Sequence, residues 1–169
     1  MKKVFNVILI SCFFASLVGT AFAAECSKDS INFSCEFEGT EDYVCELVTC
    51  EGDIEKQQVL VKIAISHALP EHELKLQIWD AFTSDGEPYS SYIKNKKEYN
   101  KLYGEQWEWT QYETSQFIRT ERPKYVEFMI TSVLPSHHNI SVVLFKYKRY
   151  DISYKGGLMV IKNIPITWK

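Results

Sequence analysis

The chain has 169 residues, of which 46% are hydrophobic, 14% aromatic and 24% charged, with a formal net charge of −3. This hydrophobic share is typical of a folded globular protein and excludes an intrinsically disordered chain. The slightly acidic balance, without any nucleic-acid recognition motif, argues against a protein that binds DNA or RNA.

The N-terminal segment has the pattern of a secretory signal peptide. After two lysines, an apolar run from Val4 to Phe22 ends in the small residues Ala21 and Ala23, which are the positions that a signal peptidase contacts. We therefore predict that residues 1–23 are removed and that the mature chain is periplasmic or secreted.

Two alternatives to cleavage after Ala23 rest on the same segment. The apolar run is long enough for a membrane anchor, but the basic stop that usually follows an anchor is missing. Leu9–Cys12, LISC, resembles a bacterial lipobox, but the residues after Cys12 are apolar where a tethered lipoprotein has a polar linker. Cys12 is therefore expected to leave with the signal peptide.

The mature segment, residues 24–169, is predicted to fold as a single disulfide-stapled, β-rich domain, because it is long enough for one hydrophobic core and contains no linker or repeat. Alternation of apolar and polar residues predicts strands around Val59–Ile65 and Leu74–Ile78. Similar alternation recurs in QWEWTQY, SQFIRT, KYVEFMITSVL, ISVVLFKYKRY and GLMVIKNIPITW.

One segment after the signal peptide has helical spacing. Its apolar residues recur three, four and seven positions apart, a serine precedes them and Gly104 follows them; they are Tyr92, Ile93, Tyr99, Leu102 and Tyr103. The sequence therefore predicts a mainly β fold, either a β-sandwich or a curled antiparallel sheet, with one short helix. An α+β fold is the alternative.

Four cysteines follow the signal peptide, Cys26, Cys35, Cys45 and Cys50, and their spacing lacks the repeated close pairs of zinc sites and the C-x-x-C of redox motifs. In an oxidising compartment such a set favours two disulfides. Gly39–Glu41 is predicted to be a three-residue hairpin loop, which places Cys35 opposite Cys45. Cys26 is then left to pair with Cys50.

Charge divides the mature chain into two parts. Residues 24–91 carry fifteen acidic and four basic side chains, whereas residues 92–169 carry seven acidic and thirteen basic ones. Such faces are often no more than solvated surfaces that attract one another within the fold. The acidic side chains of the predicted hairpin, Glu38, Glu41 and Asp42, are nevertheless candidates for docking a basic protein partner.

A second candidate surface is basic and aromatic. Lys94 and Lys97 lie on the predicted helix, and Trp107 and Trp109 lie on one face of a predicted strand. The tryptophans are suited to the core of a small β domain, but exposed tryptophans would form a patch that contacts glycan, lipid or protein.

All four histidines lie in two segments that connect consecutive strands. His67 and His72 belong to SHALPEHE, and His137 and His138 belong to PSHHN. If the two segments met, the imidazoles would form a weak candidate site for zinc or copper. Pro70 prevents the helix that an H-x-x-E-H type of motif needs, so we expect neither a metal nor another cofactor.

The sequence contains no recognisable catalytic motif. It has no G-x-S-x-G elbow, no P-loop, no Rossmann glycine pattern and, once the disulfides form, no free cysteine nucleophile. The prediction is therefore an exported, non-enzymatic protein that binds a protein partner, such as an inhibitor, an immunity factor or an envelope-assembly factor. The alternatives are a glycan- or lipid-contacting envelope module and a metal-dependent hydrolase built on the histidine segments.

Overall fold

A computed structural model describes residues 32–97, 106–150 and 155–169. Within these ranges the chain forms eleven β-strands and no helix. The strands are β1 (Ser34–Phe37), β2 (Tyr43–Asp53), β3 (Gln58–His67), β4 (His72–Phe82), β5 (Pro88–Lys97), β6 (Gln106–Thr110), β7 (Thr114–Ile118), β8 (Lys124–Thr131), β9 (Asn139–Tyr150), β10 (Lys155–Pro165) and β11 (Thr167–Trp168). None of the elements in these ranges is a helix that could cross a bilayer. The predicted signal peptide and Cys26 lie outside the described residues.

The strands form one strongly curled, open sheet, which is one of the two mainly β arrangements that the sequence predicted. Its main path is β1-β10-β9-β4-β5-β8-β3-β2-β11, with β7 added to β4 and β6 added to β5. All pairings in the described sheet are antiparallel except that of β11 with β2. Only two residue pairs join β4 to β5, Ala81 with Tyr89 and Phe82 with Pro88, so the sheet turns a corner there.

The corner divides the sheet into two halves that face each other. The first half contains β1, β10, β9, β4 and β7, and the second contains β5, β6, β8, β3, β2 and β11. Phe145 of the first half meets Phe128 of the second edge to face, with the ring centroids 5.1 Å apart and both rings fully buried. The hydrophobic core therefore lies between the two halves.

Strand β3 shows how the sequence produces this arrangement. Val59, Val61, Ile63 and Ile65 point into the core and are fully buried, whereas Leu60, between the first two, lies on the outer face and is exposed. Alternation with period two places β-branched side chains on one face of an extended chain, where they pack well. The predicted strands over Val59–Ile65 and Leu74–Ile78 are thus confirmed as parts of β3 and β4.

The predicted helix is wrong in its described part. Residues 91–97 belong to β5, which is hydrogen-bonded to β8 on one side and to β6 on the other; residues 98–103 lie outside the described residues. Ser91 and Ile93 are both buried, two positions apart, which is the strand period. Hydrogen bonds to two neighbouring strands satisfy the backbone N–H and C=O groups here. This pairing outweighs the helical preference that the spacing from Tyr92 onward indicated.

The predicted hairpin is also wrong, because β1 pairs with β10 and β2 pairs with β3. Between β1 and β2 the chain crosses from the first half to the second through a turn at Gly39. The φ of this residue is 78°, in the left-handed region that glycine adopts without steric cost. Phe37 and Tyr43 then stack across the core with their ring centroids 4.6 Å apart. The two strands face each other through side chains and not through backbone hydrogen bonds.

Strand β2 contains a bulge that changes which face its last cysteine occupies. The pairing with β3 shifts between Leu47 and Thr49, which leaves Val48 exposed as the extra residue. Cys45 and Cys50 are five positions apart and would face opposite sides of a regular strand. The bulge turns both toward the interior, where Cys50 is buried.

Candidate functional site

The thiols of Cys35 and Cys45 meet across the two halves of the sheet. Cys35 lies on β1 and Cys45 on β2, and the two side chains are in hydrogen-bond contact. That contact and burial raise the pKa of the Cys45 thiol well above its ordinary range. No disulfide joins them in this structure. They are neighbours because the halves face each other, not because of the predicted hairpin register.

Cys50 is the third cysteine among the described residues. Burial, with a smaller contribution from the carboxylate of Glu51, raises the pKa of its thiol to about 12. At neutral pH it is therefore a thiol and a poor nucleophile. Its predicted partner, Cys26, lies outside the described residues.

We expect the mature protein to contain a disulfide between Cys35 and Cys45 when it is expressed in an oxidising compartment. The contact between the two thiols provides the proximity that the bond requires. Peptide mapping without reduction measures the connectivity directly. Bridges joining Cys26 to Cys35 and Cys45 to Cys50 would contradict the prediction.

The two histidine segments lie at opposite ends of the sheet. The segment after β3 is near the start of β8, since Ile65 pairs with Lys124, and the segment after β8 is near the start of β3, since Gln58 pairs with Thr131. The four histidines therefore do not converge. No group of three or more metal-ligating side chains occurs within the described ranges.

At the first of these ends, His67 and His72 form a buried pair with ring centroids 4.5 Å apart. His72 Nε2 is 2.6 Å from the Tyr43 hydroxyl, and its Nδ1 is 2.7 Å from the carbonyl oxygen of Pro70, which fixes the ring. Neither ring nitrogen of His67 makes a hydrogen bond of normal geometry within the described chain. His67 is thus a buried polar side chain with unused hydrogen-bonding capacity.

The environment of His67 favours its neutral form. Burial, followed by the charge of His72 and that of Arg149, lowers the pKa of His67, while the nearby backbone of Ile118 and Leu69 acts in the opposite direction. At neutral pH the ring therefore offers one donor and one acceptor without carrying a charge.

At the second of these ends, His137 lies beside Tyr89. The Tyr89 hydroxyl contacts His137 Nδ1, and the His137 carbonyl accepts a hydrogen bond from the Trp168 indole at 2.8 Å. These contacts join the β8–β9 connection to β5 and β11. His138 is exposed. The position of His137 is therefore explained by the packing of the fold.

Asp42 holds a buried arginine. Arg149 Nη1 donates to Asp42 Oδ2 at 2.9 Å, and the arginine side chain is 6% exposed whereas that of Asp42 is 36% exposed. The Thr40 hydroxyl also donates to Asp42 at 2.6 Å. Arg149 faces inward, whereas Lys146 and Lys148, its neighbours in sequence, face outward by strand alternation. The carboxylate of Asp42, which the sequence predicted to dock a partner, therefore stabilises the fold by pairing with Arg149.

Two of the predicted acidic residues, Glu41 and Asp42, line a surface cleft of about 550 Å³ at this end of the sheet. Its walls come from the β1–β2 turn, the β3–β4 turn and the β7–β8 turn. The cleft, hereafter the acidic cleft, is lined by Glu41, Asp42, Val44, Ser66, His67, Ala68, Leu69 and Glu121. Three carboxylates, those of Glu41, Asp42 and Glu121, therefore line the same opening.

The third carboxylate, that of Glu121, was not a sequence candidate. Its backbone has a φ of 56° in the β7–β8 turn, and its N–H donates to the His67 carbonyl at 3.0 Å. The adjacent Thr120 hydroxyl donates to the Leu69 carbonyl at 2.8 Å. These two bonds attach the β7–β8 turn to the β3–β4 turn. Glu121 lies in RTERPK, a locally basic stretch, so no local signal indicated its place.

Glu38 does not line the acidic cleft. Its carboxylate accepts a hydrogen bond from the Leu158 N–H at 3.3 Å, and its carbonyl accepts one from the Tyr147 hydroxyl at 2.7 Å. Of the three predicted acidic candidates, only Glu41 is exposed, lines the cleft and has no hydrogen bond or ion pair within the described residues.

The predicted basic and aromatic surface is placed on β5 and β6. Lys94 forms an ion pair with Glu127, and Trp109, which pairs with Lys94 in the strand register, is 39% exposed on the outer face. The side chains of Lys97 and Trp107 lie outside the described part. A tryptophan that was not singled out, Trp79, is 51% exposed and has the Lys146 ammonium 3.7 Å from its ring centroid.

Neither a protein-family model nor a curated protein sequence matches this chain. Among solved structures, it is similar to a family 123 glycoside hydrolase from Clostridium perfringens, with a TM-score of 0.34 and 9% sequence identity. The similarity covers 78% of this chain and 27% of that protein. A likeness this distant carries no argument about activity.

Proposed function

We propose that this chain is an exported protein-binding module whose acidic cleft receives a basic segment of a partner protein. The observation that carries the proposal is the acidic cleft itself, in which two carboxylates, those of Glu41 and Glu121, have no ion pair within the described chain. A lysine or arginine side chain entering the cleft would neutralise them. Inhibitors, immunity factors and envelope-assembly factors all belong to this class.

A comparison with the other acidic depression supports the choice of cleft. A second depression, of about 500 Å³, is lined by Glu51 and Asp53 among others. There Asp53 pairs with Lys56 at 2.6 Å and Glu51 pairs with Lys169 at 2.8 Å. Glu55 also lines this depression and has no ion pair within the described residues, but the Lys169 ammonium lines it too. Because two of its three carboxylates already have internal cations, this depression attracts an external cation less strongly than the acidic cleft does.

The acidic cleft is also ordered before any partner arrives. Its turns are tied by the bonds from Thr120 and Glu121 to the β3–β4 turn, and its base is fixed by the ion pair of Asp42 with Arg149. A preformed site loses little conformational entropy when it binds.

The test compares two double variants with the same change in charge. Glu41→Gln/Glu121→Gln removes the two unpaired carboxylates of the cleft, whereas Glu36→Gln/Glu46→Gln removes two exposed carboxylates that do not line it. With a hexa-arginine peptide at low salt, we expect the first variant to weaken binding about tenfold, mainly through slower association, and the control to change it less than about twofold.

The amide NMR spectrum locates the binding. Shifts caused by the peptide should be concentrated at residues 41–44, 66–69 and 121, and they should decrease as salt is added. Equal losses of affinity in the two variants would mean that net charge alone attracts the peptide, and the acidic cleft would not be a docking site.

A further inference from the structure

A second surface groove lies beside the β7–β8 turn and has the opposite charge. This groove, hereafter the basic groove, has a volume of about 380 Å³ and is lined by Phe117, Arg119, Arg122, Pro123 and Lys124. The acidic cleft and the basic groove share no lining residue. The basic groove therefore requires its own explanation.

The three cations of the basic groove are not used by the fold. Within the described residues, no ion pair involves Arg119, Arg122 or Lys124, and no carboxylate lines the groove. Glu121, between the two arginines, lines the acidic cleft instead. Glu73, which pairs with Phe117 across β4 and β7, accepts a bond from the Ser115 hydroxyl. Among the described residues, none of these three positive charges therefore has a counter-ion.

The backbone of the basic groove is held in place. The Arg122 N–H donates to the Arg119 carbonyl at 3.3 Å, which closes the turn, and Thr120 ties the turn to the Leu69 carbonyl. The two guanidinium groups are therefore carried on a fixed loop. Guanidinium groups recognise carboxylate and phosphate oxygens through paired N–H donors, which gives both affinity and orientation.

An apolar surface stands next to these cations. The Phe117 side chain is 56% exposed on the edge strand β7, and Pro123 closes the other side of the groove. The negative face of an aromatic ring attracts the weakly positive C–H groups of a saturated ring such as that of a sugar. An oxyanion alone would leave this surface uncovered, and a neutral sugar would leave the cations unpaired.

We propose that the basic groove binds a sugar ring that carries a carboxylate or phosphate group, with the oxyanion on Arg119 and Arg122 and the ring against Phe117. An acidic peptide would satisfy the cations but has no rigid apolar ring to cover the phenyl group. The groove volume lies within the range of ligand sites, toward its small end, which fits one or two sugar units.

The experiment uses amide NMR of the mature chain with separate probes. Trigalacturonate supplies carboxylates, glucose 6-phosphate supplies a phosphate, and maltotriose is the neutral control. We expect at least one of the two acidic sugars to shift the amides of residues 117–122 and 124, and maltotriose not to do so. Which acidic sugar binds more tightly identifies the oxyanion that the groove prefers.

Matched variants separate recognition from net charge. Arg119→Gln/Arg122→Gln should weaken binding of the acidic sugar about tenfold, and Phe117→Ala about fivefold. Lys146→Gln/Lys162→Gln removes two exposed cations elsewhere and should have less than about a twofold effect. The Glu41→Gln variant, whose change lies on the β1–β2 turn, should bind the sugar as the unmodified chain does, so this test is independent of the acidic cleft.

Two results would overturn the proposal. One is that neither acidic sugar shifts the groove amides. The other is that hexaglutamate or inorganic phosphate binds as tightly as the acidic sugars and is unaffected by Phe117→Ala. The second result would mean that the groove attracts any oxyanion and that the phenyl ring takes no part.

Discussion

Replacing Asp42 with alanine is expected to lower the free energy of unfolding by about 3 kcal/mol, because it leaves the Arg149 guanidinium buried without its carboxylate. The value is at the lower end of the range for a buried pair, since Asp42 itself is 36% exposed and partly screened by water. Urea denaturation followed by tryptophan fluorescence measures the change.

Two further variants show that the loss comes from the ion pair. Glu41→Gln changes a neighbouring carboxylate that has no such partner and should alter stability by less than about 0.5 kcal/mol. Asp42→Ala/Arg149→Met removes both charges and should recover most of the loss, because an apolar pair can replace a buried ion pair. If the double variant were as unstable as Asp42→Ala alone, the loss would come from other contacts of Asp42.

Replacing Phe145 with alanine is expected to cost about 4 kcal/mol, the largest effect of any substitution considered for this chain. Phe145 is fully buried and meets Phe128 edge to face at 5.1 Å, where the two halves of the sheet pack together. The substitution leaves a cavity between the halves that the surrounding strands cannot fill. Thermal and urea unfolding measure the loss.

Phe117→Ala is the matched control, since it removes the same side chain from an exposed position. We expect it to change stability by less than about 0.5 kcal/mol. Similar losses in the two variants would show that Phe117 packs in solution and that Phe145 is not central to the core. The control also establishes that a loss of sugar binding in Phe117→Ala reflects recognition and not unfolding.

The elements that the sequence predicted correctly are those with a local cause. In β3 and β4 the inward side chains are β-branched or leucine and the outward ones are mostly polar, so the period of two is visible within one segment. The same local property gave the mainly β fold class, and the curl followed as one of two ways to bury one face of an antiparallel sheet.

The two wrong predictions concern partners that are distant in sequence. Tyr92 and Ile93 of β5 begin a helical spacing that continues past the described end of the strand, but β8 and β6 supply hydrogen bonds that favour the extended chain. Around Gly39 the turn and the flanking alternation are those of a hairpin, yet β1 found its partner in β10, more than a hundred residues later. Local pattern does not encode which of several compatible strands will pair.

The acidic cleft also combines residues that the local sequence indicated with residues that only the fold brings together. Glu41 and Asp42 were identified from the sequence because acidic residues are concentrated there, and charge is visible without a fold. His67 and Glu121 are fifty-four positions apart and became neighbours only when the β3–β4 and β7–β8 turns were joined by backbone hydrogen bonds. Cys35 and Cys45 are neighbours because the sheet curls. The hairpin across which the sequence predicted their pairing does not form.

By itself, the sequence determined most of the strands, the fold class and the distribution of charge, because each depends on residues that are near one another in the chain. Only the tertiary structure decided that Asp42 holds a buried arginine, that Glu121 and His67 complete the acidic cleft, and that Arg119 and Arg122 face a separate groove. These three features depend on which turns lie next to one another. The positions of the turns follow from burying the inward faces of both halves of the sheet at once, which is a requirement of the whole chain and not of any single segment.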